Sequence, residues 1–446
     1  MMQRFWILGL VLVRSLGALE AGVAAVDITP PKGAPLAGYY FNRAATGTHD
    51  ALQAKAIVLR EGPAKLVLVS CDLIGMPDGI AERAKEIISR ETGIPGANVM
   101  ISATHTHTAP VVLSGFSRYV LEGEMLRIAQ EYAEALPGLI AHAVVAANRS
   151  LQPAKLFAAK GSEGTLAFNR RFHMRDGSVA WNPGKTTTEI VRPAGPIDPT
   201  VPVLYIESAQ GEPLAFYVNF ANHLDTVGGT EFSADFVSVL EASLQAARGA
   251  KPLTMFTMGC AGNLNHLDVG WKAPQKGHGE AARIGTVLAA AVLQACKRME
   301  EIEKPDFAAG SIRIPLQTVS PGVQYPGVQS EFLQQVAAAR DAELQSYVKP
   351  ERMAEVQYFR LSKDHAIAGL PGEIFVELGL RLRLGAPVKW LAIATQTNGS
   401  IGYVPDQKAY GEGNYEVVSS RVQAGSGEKL VEELLRLAHG IGLMPK

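Results

Sequence analysis

Apolar positions along this chain recur with two periods, and the period switches many times. Residues three or four apart form apolar faces at Ile80–Thr92, Leu126–Ala147, Phe236–Ala247, Glu280–Arg298, Glu331–Gln345, Ile374–Leu384 and Lys429–His439. A 3.6-residue repeat predicts amphipathic helices there. Between them lie short apolar stretches at Gly22–Ile28, Leu52–Leu59, Lys65–Cys71, Asn98–Thr104, Val201–Glu207, Leu214–Asn222, Leu253–Met258, Phe307–Pro315, Val356–Leu361, His365–Leu370 and Leu391–Thr397. These are predicted strands, and runs such as Leu66-Val67-Leu68-Val69 fit strands covered on both faces. The alternation predicts an α/β layered domain, with a mixed central β-sheet flanked by helices and the active site at strand ends. Proline and glycine cluster at Pro30–Gly38, Pro183–Gly195 and Pro321–Gly327. Those clusters read as long surface or active-site loops, leaving one large domain over residues 21–446.

Composition narrows the classes. Of 446 residues, 47% are hydrophobic and 19% charged, ordinary for a chain with a large core. The formal net charge of −1 gives no electrostatic footprint for nucleic acid or an anionic membrane. Arg4, the apolar run Phe5 to Val13 and small residues at Ser15, Gly17 and Ala18 have the order of a secretory signal peptide over residues 1–20. That predicts a secreted or periplasmic protein. The run is too short for a stable membrane span, and no later stretch is long and apolar enough for one. Three cysteines allow at most one disulfide. The sequence is silent on oligomeric state.

Five stretches could carry chemistry. Thr104-His105-Thr106-His107 closes a predicted strand, and in extended backbone His105 and His107 project from one face. Such a pair offers a metal ligand plus a second ligand or a hydrogen-bond donor to a developing oxyanion, or is simply solvated at a strand end. In Asn219-Phe220-Ala221-Asn222-His223 a strand runs into a polar turn, so His223 either faces a cleft or is a core histidine bonded to backbone. Ser233 or Asp235 would cap the helix that follows. Met258 to His266 is a small-residue turn through which a backbone can approach a ligand. Gly369-Leu370-Pro371-Gly372-Glu373 places Glu373 at a helix start, where the helix dipole alone would favour it. Thr397 to Tyr403 is another strand leading to a glycine-rich loop. No G-x-S-x-G, H-E-x-x-H, P-loop or G-x-G-x-x-G occurs.

Together these stretches resemble the neutral (non-lysosomal) ceramidase family, in the family's order. Gly22 to Pro30, Gly38-Tyr39 and Gly47-Thr48-His49 are similar to its N-terminal segment, and Val69 to Met76 follows. Its H-T-H-S-G-P motif reads His105-Thr106-His107-Thr108-Ala109-Pro110, its N-R pair Asn169-Arg170, and its F-A-x-H motif Phe220 to His223. P-G-E is Pro371-Gly372-Glu373 and the late G-Y turn is Gly402-Tyr403. The resemblance implies zinc (Zn2+) held by His105, His223, Glu373 and Tyr403, with His107 and Arg170 steadying the scissile carbonyl. It implies an exported hydrolase of the amide bond of a small-molecule or lipid N-acyl substrate such as ceramide. Where the family has G-D-x-S-P-N, with a catalytically important serine, this chain has Gly262-Asn263-Leu264-Asn265-His266. Asn265 in the serine's place implies direct attack of metal-activated water, with Asn265 facing the metal and His266 flanking it. The chain stops at Lys446, so the C-terminal immunoglobulin-like domain of the ceramidases is expected to be absent. Two other readings stand beside this one: a metallohydrolase for a different ester or amide, and a silent lipid- or glycan-binding relative. Retention of all four ligands favours an enzyme, and loss of the serine favours a silent protein.

Overall fold

The apolar stretches assemble into two stacked sheets in the computed structural model, which describes residues 19–442 except 115–116, 329 and 348–349. Nearly all of the predicted signal segment therefore lies outside the described residues. The larger sheet has the order Leu253–Met258, Pro213–Phe220, Thr200–Ser208, Gln152–Ser162, Glu20–Asp27, Gln53–Glu61, Ala64–Cys71, Val99–Ala103, with Glu300–Glu301 added beside Gln152–Ser162. It is mixed. Pro213–Phe220 runs parallel to Leu253–Met258, and Ala64–Cys71 to Val99–Ala103, while the other pairs are antiparallel. The smaller sheet has the order Ala308–Gln317, Glu351–Ser362, His365–Gly369, Trp390–Ala394.

Period-two alternation explains the layering. Ala54, Ala56, Val58, Val67 and Val69 face one way, into a core shared with helices Ile80–Thr92 and Gly123–Arg149. Their neighbours Ile57, Leu59, Leu66 and Leu68 face the other way, against Phe359, Leu361, Ile367 and Trp390 of the smaller sheet. Helices Phe236–Arg248 and His278–Cys296 cover the other half of the large sheet. Val376–Gly385 and Ser426–Gly442 cover the outer face of the small one. The α/β layered fold is as expected, with one refinement. Helices flank a single face of the central sheet, and the second sheet covers the other.

One strand was not anticipated, and two local expectations are corrected. Gln152–Ser162 is an eleven-residue strand inside the large sheet, bonded on both sides, although Pro153, two lysines and Gly161 hide its pattern. Strand Ile190–Pro193 lies in the expected loop Pro183–Gly195. Glu373 does not start a helix. It forms a two-residue strand with Ile374, and the helix begins at Val376. No helix among the described residues is long and apolar enough to cross a membrane.

Candidate active site

The functional side chains gather where strands of both sheets end. Val99–Ala103 delivers His105 and His107, Pro213–Phe220 delivers His223, and Leu253–Met258 leads to Asn263 and Asn265. From the small sheet, His365–Gly369 leads to Glu373 and Trp390–Ala394 to Tyr403. Backbone bonds stitch these ends together. His107 N donates to Leu224 O at 3.0 Å, Gly262 N to Ile374 O at 2.8 Å, and Thr395 N to Met258 O at 2.8 Å. Glu373 pairs directly with Tyr403 in a short parallel ladder.

His105 and His107 come together for a reason the sequence argument missed. The strand stops at Ala103, and His105 has φ +73°, the left-handed region that disfavours non-glycine residues. The chain is therefore bent at His105 rather than extended. Gly38, at φ +99°, packs so closely that a Cβ there would lie 2.7 Å from His107 O. Only glycine allows that approach.

Around this bend three imidazoles and a carboxylate converge. Ligand atoms of His105, His107 and His223 lie within 4.8 Å of one another. His105 Nδ1 is bonded to Ile74 O at 2.5 Å, which turns Nε2 toward the site. Glu373 Oε2 stands 3.3 Å from His105 Nε2 and 3.2 Å from His223 Nε2. Ligands at 2.0–2.1 Å from a tetrahedral zinc are separated by about 3.3–3.4 Å, so these spacings fit an ion between them. Both ring nitrogens of His107 are buried without a hydrogen-bond partner. Orphaned buried nitrogens of that kind are costly unless something fills the site.

Electrostatics favour a cation. Burial lowers His223 to about 4 and His107 to about 3, keeping both imidazoles in the neutral form that ligates metals. Burial alone would raise the Glu373 carboxyl, but His105 and His223 beside it hold it well below the carboxylate range. Tyr403 is pushed well up, first by burial and then by Glu373, despite Arg170. A metal would therefore have to displace the phenolic proton, which leaves to solvent, before Tyr403 could act as an anionic ligand.

The remaining predicted residues sit around this cluster. Arg170 is buried, with Nε donating to Glu416 Oε1 at 2.8 Å and Nη2 to Gly262 O at 2.6 Å. Nη1 stands 3.4 Å from His223 Nε2, and the guanidinium carbon lies 5.4 Å from the Tyr403 ring centre. Asn265 lines the cleft with His107 and His223, but its amide nitrogen donates to Asn182 Oδ1 at 3.0 Å and its oxygen accepts from Leu267 N at 3.1 Å. His266 turns away to Gln275 O at 2.7 Å. Asp235, not Ser233, caps its helix. Two acids escaped the sequence reading. Asp225 Oδ1 is 3.7 Å from His107 Nδ1, and its place in the polar turn after His223 was an available signal. Glu416 had none.

Clefts open on both sides of the cluster and share Gly38, Tyr40, His107, Tyr403 and Tyr415. One, of about 380 Å³, is walled by aromatics: Trp181 and Tyr415 have ring centres 4.5 Å apart, and Phe332 lies 5.8 Å from each. The other, of about 230 Å³, is rimmed by arginines.

Fold and site define a class: a layered α/β protein with a buried histidine-carboxylate centre at strand ends, between two clefts. Residues 19–231 match the family model for "Neutral/alkaline non-lysosomal ceramidase, N-terminal". Over that stretch the chain is similar to the N-terminal part of the neutral ceramidases. It is 33% identical to neutral ceramidase B of Dictyostelium discoideum over 135 residues, 30% of this chain and 17% of that protein. It is 31% identical to neutral ceramidase of Pseudomonas aeruginosa over 175 residues, 37% of this chain and 24% of the relative. The aligned stretches thus span under a quarter of these relatives' length. The crystal structure of the Pseudomonas aeruginosa enzyme superposes with a TM-score of 0.75 at 20% identity, covering 96% of this chain and 75% of that one. The ceramidase fold therefore extends well beyond the matched sequence.

Proposed function

We propose that this chain is an exported, zinc-dependent hydrolase that cleaves the amide bond of a ceramide-like N-acyl lipid. The observation that carries the reading is Glu373 Oε2, placed 3.2–3.3 Å from ring nitrogens of two histidines that come from distant strand ends. His105, His223, Glu373 and Tyr403 would hold the ion, and the likeness to neutral ceramidases supports the choice of bond. Zinc in such a site supplies an activated water and polarises a carbonyl. The protein's own groups do the rest. His107, kept neutral by burial, has a ring N–H free to donate to the charge developing on the carbonyl oxygen, and Asp225 lies beside its other face. Arg170, fixed by Glu416, presents Nη1 toward the same centre. Asn265 has one amide hydrogen left after its bond to Asn182, and being neither basic nor readily ionised it is no nucleophile. The reaction then proceeds by direct attack of water, without a covalent acyl-enzyme, within the single domain of residues 21–446. Export rests on the charged, apolar and small-residue order of residues 1–20.

Elemental analysis of the purified protein and a mixed panel of N-acyl substrates test this reading. Fatty-acid release should stop on chelation and return with zinc. Undiminished hydrolysis by metal-free protein, or no cleavage of any amide by zinc-loaded protein, would sink it. His107→Ala should lower kcat about 100-fold, the scale of one lost oxyanion donor, with metal content kept. Loss of metal from that variant would make His107 the ligand and exchange its role with that of His105.

A further inference from the structure

The smaller cleft carries charge that the proposed chemistry does not use. Four arginines meet there and in the recess that adjoins it: Arg118, Arg340, Arg352 and Arg421. Three carboxylates answer them, apart from Glu373, which is turned to the histidines. Arg340 pairs with Asp341 at 2.7 Å. Arg352 pairs with Asp78 at 2.5 Å and with Glu343 at 3.4 Å, and Glu343 also takes Arg421 at 2.6 Å. Arg118 has no carboxylate within ion-pair distance among the described residues. Its guanidinium carbon instead stands 5.1 Å from the Tyr40 ring centre and 5.9 Å from that of Tyr119. Tyr40 lines both clefts, so Arg118 stands beside the passage between them.

Arg421 faces the same space. Its Nε is buried without a partner, and it lines both the cleft and the adjoining recess together with Arg118. Glu343, which burial alone would raise, is held down at about 2 first by Arg421 and also by Tyr347 and Arg352, so its charge is already committed. Two guanidiniums that line one recess, the exposed Arg118 without a carboxylate of its own among the described residues, offer positive charge that an anion can join. A carboxylate suits the gap, because the planar fork of arginine matches it in two parallel hydrogen bonds. The opposite cleft, walled by Trp181, Phe332 and Tyr415, suits an apolar chain.

We infer that the substrate is an acidic amide, with an apolar arm on the aromatic side of the scissile bond and a carboxylate on the other side, held by Arg118 and Arg421. This deepens the proposed amidase reading and rests on it for the reaction, while the recess itself can be tested by binding alone.

Non-hydrolysable sulfonamides give that test on the purified full chain by calorimetry. N-(dodecylsulfonyl)glycine carries the carboxylate on the amine side, 3-(dodecylsulfamoyl)propanoic acid carries it on the acyl side, and N-propyl dodecanesulfonamide is neutral. At least one acid should bind about tenfold or more tightly than the neutral compound, the scale of one charge-assisted pair. The better acid shows which half of the substrate is anionic. Arg118→Gln should bring the ratio to within about twofold, and added salt should narrow it in the unaltered protein. Equal binding of all three compounds, or a preference that survives Arg118→Gln, overturns the inference. Failure of the zinc-loaded protein to cleave any amide sinks the amidase reading instead and leaves the binding ratio to stand or fall by itself.

Discussion

Glu373→Ala should empty the proposed zinc centre of metal and abolish the proposed hydrolysis together. The carboxylate faces both His105 and His223, and its removal leaves neutral imidazoles without an anion to offset the charge of a bound ion. Loss of a group that merely orients a ligand costs 10–100-fold in metal affinity, so loss of a ligand should exceed about 100-fold. Metal per chain after gel filtration and hydrolysis of the best N-acyl substrate are the two readings. The fold should persist, since Glu373 meets Tyr403 through backbone bonds that alanine keeps, and circular dichroism checks this. Stoichiometric metal in the variant would show that the ion, if one binds, is held elsewhere.

Glu416→Ala has the largest effect expected on stability. Glu416 is 0% exposed and takes Arg170 Nε at 2.8 Å on one oxygen and Arg171 Nη1 at 3.0 Å on the other. Both arginines are buried, so alanine leaves guanidinium charge in the interior with too few acceptors. Breaking a buried pair in this way costs about 3–5 kcal/mol, read as a fall in the urea midpoint at unchanged m. Glu416→Gln keeps an acceptor oxygen and should lose less. A change below about 1 kcal/mol for the alanine variant, the scale of an exposed pair, would mean that the arginines find other partners.

Much of the fold was legible because helices with a strong 3.6 period announce themselves. Ile80–Thr92 falls where the pattern placed it, and Phe236–Arg248 within one residue of it. Gln152–Ser162 did not, since its place in the sheet comes from neighbours on both sides rather than from its own side chains. The stacking of two sheets was also hidden. A strand apolar on both faces shows that something covers each face, but not whether that is helix or sheet. At the site, four motifs in order pointed to His105, His223, Glu373 and Tyr403, and the structure brings these residues together. The bend at His105 was invisible because a left-handed φ on histidine leaves no trace in composition. Glu416 was invisible because its partners are 246 and 245 positions away and no local pattern marks it.

The stitching of the site from the ends of two stacked sheets has a consequence for how the chain folds. His105 and His223 arrive from the large sheet, Glu373 and Tyr403 from the small one, and the side chains of His223 and Glu373 meet across 150 positions of sequence. Closing loops of that length is an entropic cost met before any contact between the ends repays it. Neither sheet alone offers more than half of the proposed ligand set, so a nascent chain with only one sheet formed would have no complete centre. An ion captured there is a late event that reports the docking of the two halves, and once held it fastens them like a clasp.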